Sequence, residues 1–355
     1  MSDVNPIVAA AVGENLDALI TLDLRGYHVG RILYRAARAV AGEPLTLGAA
    51  RAILENTSAG DTVVLTTGFP FLPYGKPELD GLIGTAVVAR ALDIALGAHP
   101  VIVTEAATVP VMSALMTAAG LNLYATRDEM HQYPHSGAVI PFTADTSRAS
   151  AEAEEVLDTF GSKLVIAIEK PGANGDGAYL QGNGSDVSGM VAKTDALFEL
   201  AHVRGLPTIA IGDLGNEVGF GALAAVVDQE TPFGTAYVGA PTESIAAGVE
   251  ADHILVGSVS DWAAYGLAAM IAFLTGNPDA LHTPAIQRQL LWTAVRCGAL
   301  DGSGRAEPAV DGVGEDFTAR LVATMRDILE ITSRMSRTYA TVIDRLNDLD
   351  WNQRS

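Results

Sequence analysis

The sequence carries a single cysteine, Cys297, in 355 residues, so no internal disulfide can form and the paired-cysteine framework of a small secreted domain is excluded. A reducing, cytoplasmic setting is the expectation. Basic residues are scarce: 22 Lys plus Arg stand against 42 Asp plus Glu, a formal net charge of −20. No stretch gathers enough positive charge to neutralise a run of phosphates, so nucleic acid is not an expected partner. Long apolar runs are missing too. The longest, Tyr265 to Leu274, is broken by Gly266 and falls far short of the roughly 18 residues that span a bilayer, so no membrane partner is expected. The opening MSDVNPIVAAAVGENLD has no basic leader and meets acidic residues after a short apolar stretch, which argues against a secretory signal.

What is present is an ordinary globular composition, 49% hydrophobic and 18% charged, enough to bury a large core without staples. Short β-branched runs alternate with Ala- and Leu-rich stretches of helical period: TVVLTT (Thr62 to Thr67), PVIVTE (Pro100 to Glu105), GAVIPF (Gly137 to Phe142), KLVIAIE (Lys163 to Glu169), PTIAIG (Pro207 to Gly212) and DHILVG (Asp252 to Gly257). Strands apolar on both faces and joined by helices predict an α/β fold, a mostly parallel sheet in three layers. One domain is expected. Residues 1–60 form an N-terminal helical part, 61–300 the sheet core with its motif loops, 301–316 a Gly-, Asp- and Pro-rich loop or linker, and 317–350 one long amphipathic helix. A helix of that length, with Phe317, Leu321, Met325, Ile328, Met335, Tyr339, Val342 and Leu346 spaced by threes and fours, predicts either a homo-oligomer contact or a wrap around its own sheet.

In an open parallel sheet, ligands bind beyond the carboxyl ends of the strands. Four strand ends there supply Glu78, Asp80, Glu105, Glu169, Lys170, Asp176, Asp213 and Glu217, with Asn174 and Asn216. Oxygen donors with little His and no useful Cys suit a hard divalent ion, Mg²⁺ or Mn²⁺ first and Ca²⁺ next. The expected metal ligands are Glu78, Asp80, Asp213 and Glu217. Asp213 and Glu217 are four apart and would share a face if a helix began there, although capping explains the same pair. Glu169 and Lys170 are the expected catalytic pair, Lys170 serving equally well as a salt-bridge partner. Gly68, Asn174, Asp176, Asn183 and Asn216 are the expected substrate-binding residues, although NGDG is also an ordinary turn signal.

Other chemistries lack their marks. Neither G-x-G-x-x-G nor GxxxxGK[ST] follows a strand, so no nucleotide cofactor is expected. No G-x-S-x-G elbow occurs, and the closest histidines, His131 and His135, have Pro134 between them.

The strings TGFPFLPYGKPELDGLIGTAVVARAL, AIEKPGANGDGAYLQGNGSDVS and LPTIAIGDLGNEVGFG, in this order and spacing, resemble the family of the D-glutamate cyclase C-terminal domain, from the first helices to Asp311-Gly312. The resemblance implies an α/β fold with a metal-associated acidic pocket and, in the best-known member, conversion of D-glutamate to 5-oxo-D-proline. It also implies a basic residue in the stretch that here reads AYLQGNG, where this chain has Asn183. The resulting expectation is a metal-dependent enzyme acting on a small amino acid or its lactam, in either direction. The ion, held by some of Glu78, Asp80, Glu169, Asp213 and Glu217, would act as a Lewis acid, and a free carboxylate or Lys170 would take the ammonium proton. A phosphatase-like hydrolase and a non-catalytic metal- or ligand-binding oligomer are the competing expectations.

Overall fold

The fold, taken from a computed structural model, is described for residues 4–232 and 244–348. Three helices, α1 (Pro6–Ile20), α2 (Val29–Ala41) and α3 (Leu45–Asn56), precede strand β1 (Thr62–Thr67). A short hairpin of β2 (Pro70–Phe71) and β3 (Lys76–Pro77) leads into α4 (Leu82–Leu96). Strands and helices then alternate: β4 (His99–Thr104), α5 (Val109–Ala118), β5 (Asn122–Leu123), α6 (Arg127–Met130), β6 (Ser136–Pro141), α7 (Thr146–Phe160), β7 (Ser162–Ile168), α8 (Asp195–Arg204), β8 (Thr208–Gly212), α9 (Ala224–Glu230) and β9 (His253–Val256). The chain continues through α10 (Ser260–Thr275), α11 (Pro284–Arg296), the hairpin of β10 (Ala309–Val310) and β11 (Val313–Gly314), α12 (Glu315–Thr338) and α13 (Ala340–Asp348).

Seven strands form one parallel sheet in the order β5-β6-β4-β1-β7-β8-β9, with helices on both faces. All six strands read from apolar runs are there; β1, β4, β7 and β8 are buried almost throughout, whereas β6 and the edge strand β9 are buried over only half their length. From β1 the chain moves outward to β4, and with β7 it returns to the other side of β1. The strand order therefore reverses between β1 and β7, which opens a crevice beyond their carboxyl ends.

The apolar run Tyr265 to Leu274 belongs to α10, whose residues Ser260 to Leu274 are all buried in the core. It packs on α4, and a Cβ added at Gly84 would lie 2.7 Å from that of Ala264, so glycine is what lets the two helices meet. Among the described residues, no helix is long and apolar enough to cross a membrane.

One expectation needs correction. The long C-terminal helix starts at Glu315, not Phe317, and is not continuous. It breaks at Tyr339 (φ −110°, ψ 26°), and α13 resumes in contact with α1, where Ile343 packs on the core. Positions 349 and 350 of the expected helix lie outside the described residues. Ile331, Met335, Tyr339 and Val342 remain exposed along this segment. The stretch 301–316, expected as a loop or linker, is largely turns and bends packed against the sheet core. It folds back through the β10–β11 hairpin, and Leu300 pairs with the backbone of Glu78 and Leu79 beside the crevice.

Candidate active site

The crevice is a cavity of about 460 Å³, within the range of small-molecule pockets, roughly 300–1,000 Å³. Six chain segments build it, one of them the stretch Gln181, Gly182 and Asn183 in the loop that follows β7. The β1 end contributes Phe69, Phe71, Glu78 and Asp80, the β7 end Glu169, and the β8 end Asp213, Leu214 and Asn216. Another comprises Gly302, Ser303, Asp311 and Gly312 from the folded-back stretch. Arg25 and Tyr27, from the turn between α1 and α2, close the remaining side.

Each acid is held by local geometry. Glu169, directly after β7, adopts φ 43°, a left-handed conformation uncommon away from glycine, and its Oε2 accepts the Ser260 hydroxyl at 2.5 Å. Asp80 ends the β1 loop, where its oxygens accept N–H groups of Gly81, Ser260 and Asp261 at 2.8–3.0 Å, so it caps the start of α10. Asp261 reciprocates by accepting from Gly81 and Gly84 at the start of α4. No helix begins at Asp213, contrary to the conditional expectation. Instead Glu217 turns back, accepting N–H groups of Asp213, Leu214 and Gly215 at 2.7–2.9 Å, and it braces the turn that presents Asp213. Gly212 is required there, since a Cβ would come within 2.5 Å of the Glu217 carboxyl carbon.

Arg25 lies between two of the acids. Its Nη2 donates to Asp213 Oδ2 and to the Ser258 carbonyl, and its Nη1 to Asp311 Oδ2 at 2.5 Å. Burial alone would weaken its charge, but Asp213 and Asp311 more than offset that and keep it protonated. The acids respond in the opposite sense. Burial, only partly relieved by Arg25, pushes Asp213 up to about 6 and Asp311 to about 7. Burial and the acidic neighbours hold Glu78, Asp80 and Glu169 well above the ordinary carboxylate range.

One carboxylate oxygen from each of Asp80, Asp213 and Asp311 lies within 4.8 Å of the others, and Glu169, Asp213 and Glu217 form a second such group. Among the described residues, Oδ1 of Asp213 and of Asp311, Oε1 of Glu169 and both oxygens of Glu78 accept no hydrogen bond. Gln181 and Asn216 line the same cavity, and both donate their amide N–H to backbone carbonyls while their buried oxygens have no partner. Unsaturated hard oxygens of this kind are a donor set that suits a divalent ion.

Of the other expected residues, only Asn183 reaches the cavity. Lys170 is fully buried and does not line the cavity; its Nζ pairs with Glu105 and donates to the Gly68 carbonyl at 3.2 Å. Burial lowers its pKa, with Glu105 acting against that. Gly68 (φ 112°) faces Thr104 and Glu105. Asn174 closes a turn by accepting the Asp176 and Ala178 N–H groups, while Asp176 is exposed. Asn183 is exposed on the cavity rim. Sequence reasoning missed Arg25, Gln181 and Asp311. Gly26 and the DG pair at Asp311-Gly312, both turn signals, are the marks that could have pointed to the first and last.

The fold and cavity define a class first: an open parallel α/β protein with an acidic, small-molecule-sized crevice at its switch point. The family model described as D-glutamate cyclase-like, C-terminal, matches residues 16–326, and the chain belongs to that family. It is similar to the human protein D-glutamate cyclase, mitochondrial, at 30% identity over 132 residues, which cover 37% of this chain and 19% of that protein.

Proposed function

We propose that this chain is a metal-dependent enzyme of the D-glutamate cyclase type, closing a glutamate-like amino acid to its five-membered lactam or opening that lactam. The observation that carries the reading is the grouping of Asp80, Asp213 and Asp311, with Glu78 and Glu169, around a cavity at the sheet's switch point. A divalent ion of the Mg²⁺, Mn²⁺ or Ca²⁺ kind, bound by Asp80, Asp213 and Asp311, would supply Lewis-acid polarisation of the reacting carboxyl group.

Ring closure needs the ammonium nitrogen to lose two protons, one before and one after it bonds to the side-chain carboxyl carbon, and one carbon–oxygen bond to break as both protons reach the departing oxygen and it leaves as water. No lysine or histidine lines the cavity among the described residues, so the proton acceptor is a carboxylate. Glu169 is the choice: Ser260 fixes one oxygen and leaves the other free. Glu78 holds its proton well above the ordinary range and is placed to return one to the departing oxygen. Phe69, Phe71 and Leu214 give the methylenes an apolar wall. Among the described residues Arg25 is the one cation in the lining, which favours a small carboxylate over a phosphate ester.

The test is metal content of the purified protein, followed by turnover of D- and L-glutamate and of both 5-oxoproline enantiomers with Mn²⁺ or Mg²⁺, read by proton NMR. Ion-dependent interconversion that Asp213→Asn abolishes supports the reading. Turnover indifferent to EDTA, or none on any of these compounds, refutes it.

A further inference from the structure

We propose that Arg25 anchors a carboxylate that the substrate keeps throughout the reaction, so that the pocket selects amino acids and lactams bearing a free carboxylate. This rests on the cyclase-type reading above. A guanidinium offers five N–H groups in a fixed fork. Asp213, Asp311 and the Ser258 carbonyl take three of them. The Nε–H and the second Nη1–H have no acceptor among the described residues, and the side chain is 18% exposed, so it is reachable.

The same three acceptors hold the guanidinium in place before anything binds, which lowers the ordering cost of recognition. Its surroundings suit a small anion with an aliphatic body. The Tyr27 ring lies 5.3 Å from Cζ, and Phe69 and Phe71 share the cavity. Every other charged residue in the lining is acidic among the described residues, so an anion entering there meets one protein cation among them. The chemistry agrees. Ring closure consumes the side-chain carboxylate of glutamate, and the α-carboxylate persists unchanged into 5-oxoproline. One fixed anchor at that group therefore serves both directions, while the reacting carbon remains near Asp80, Asp213 and Asp311.

The experiment compares binding of 5-oxoproline with that of its neutral carboxamide, each enantiomer separately, by calorimetry at saturating Mn²⁺. The protein, Arg25→Met and Arg25→Lys are measured side by side, together with Mn²⁺ affinity. The unaltered protein should prefer the carboxylate by ~10–100-fold, the scale of a charge-assisted pair. Arg25→Met should lose that preference while its carboxamide affinity changes little, and Arg25→Lys should keep part of it. Equal binding of the two compounds by the unaltered protein overturns the proposal, even if Arg25→Met fails to fold. A preference undiminished in Arg25→Met overturns it as well. If the preference depends on Arg25 but glutamate is not turned over, the anchor stands and the cyclase-type reading falls. Turnover without any carboxylate preference has the reverse meaning.

Discussion

Stripping divalent ions from the protein and raising the pH should destabilise it, and adding an ion back should reverse the effect. Asp213 at about 6, Asp311 at about 7 and Asp261 at about 8 all hold their protons more tightly in the folded chain than at the ordinary aspartate value of 3.8. Their contribution is complete below that value and is lost progressively above it, up to about pH 6 for Asp213, 7 for Asp311 and 8 for Asp261. One proton retained by the folded state costs about 1.4 kcal/mol per pH unit. With an unfolding entropy of about 2 cal/mol/K per residue, a 355-residue chain shifts its midpoint by roughly 1.3 °C per kcal/mol. In EDTA the midpoint should therefore fall by about 2 °C per pH unit for each proton still held, with Asp311 and Asp261 both contributing between pH 6 and 7 and Asp261 alone between pH 7 and 8. An ion at a hundred times its Kd contributes ~2.7 kcal/mol, or about 3–4 °C. That gain should be larger at pH 8 than at pH 5.5, because the ligands must ionise to bind. Differential scanning fluorimetry across pH 5.5–8, with EDTA and with Mn²⁺, reads all of this. A midpoint in EDTA that is flat or rises with pH, or a Mn²⁺ shift that does not grow with pH, refutes the electrostatic account of the pocket.

Asp311→Asn should weaken Mn²⁺ binding by more than the roughly 10–100-fold that losing an outer partner costs, as calorimetry would show. Glu217→Gln puts an amide NH₂ against backbone donors and should cost about 1.5–3 kcal/mol, a fall of ~2–4 °C at the melting midpoint. Lys170→Met leaves the Glu105 carboxylate buried without its cation and should cost ~3–5 kcal/mol, most of it recovered in the double variant with Glu105→Gln. Turnover lost in Lys170→Met at unchanged stability would instead make Lys170 the proton acceptor.

The strands were legible because strands buried on both faces leave near-continuous apolar runs, and the acids at their ends followed from topology. Glu169, Asp80 and Asp213 were legible on that ground alone. Lys170 could have been set aside from the same text: it follows Glu169 at a strand end, and side chains there alternate between opposite sides. For Arg25 the sequence offers only the turn signal of Gly26, set within LDALITLDLRGYHVGRILYRAARAV, whose helical pattern runs on either side of it, and nothing that says what the turn packs against. The turn exists because Asp23 accepts the Gly26 and His28 N–H groups, and the acidic partners of Arg25 are 188 and 286 residues away. Asp311 was hidden for a related reason, as the composition of its stretch signals a turn and not where the turn packs.

Asp80 and Asp261 separate fold from site most sharply. The two carboxylates cross between α4 and α10, each accepting N–H groups at the start of the other helix, where the helix dipole favours negative charge. As caps they are near equivalents, and because both oxygens of each accept hydrogen bonds, conversion of either to asparagine sets an amide NH₂ against a donor and should cost about 1–3 kcal/mol. They differ in what else they face. Asp80 lines the cavity and lies within ligand distance of Asp213 and Asp311, whereas Asp261 points toward the α4 backbone and Tyr265. Asp80→Asn should therefore lower both the midpoint and Mn²⁺ affinity, while Asp261→Asn should lower the midpoint alone. Equal loss of Mn²⁺ affinity in the two variants would mean that the acids matter to the ion only through the placement of the helices. The Asp80, Asp213 and Asp311 grouping would then be a consequence of capping, and the case for chemistry would pass to Glu78 and Glu169.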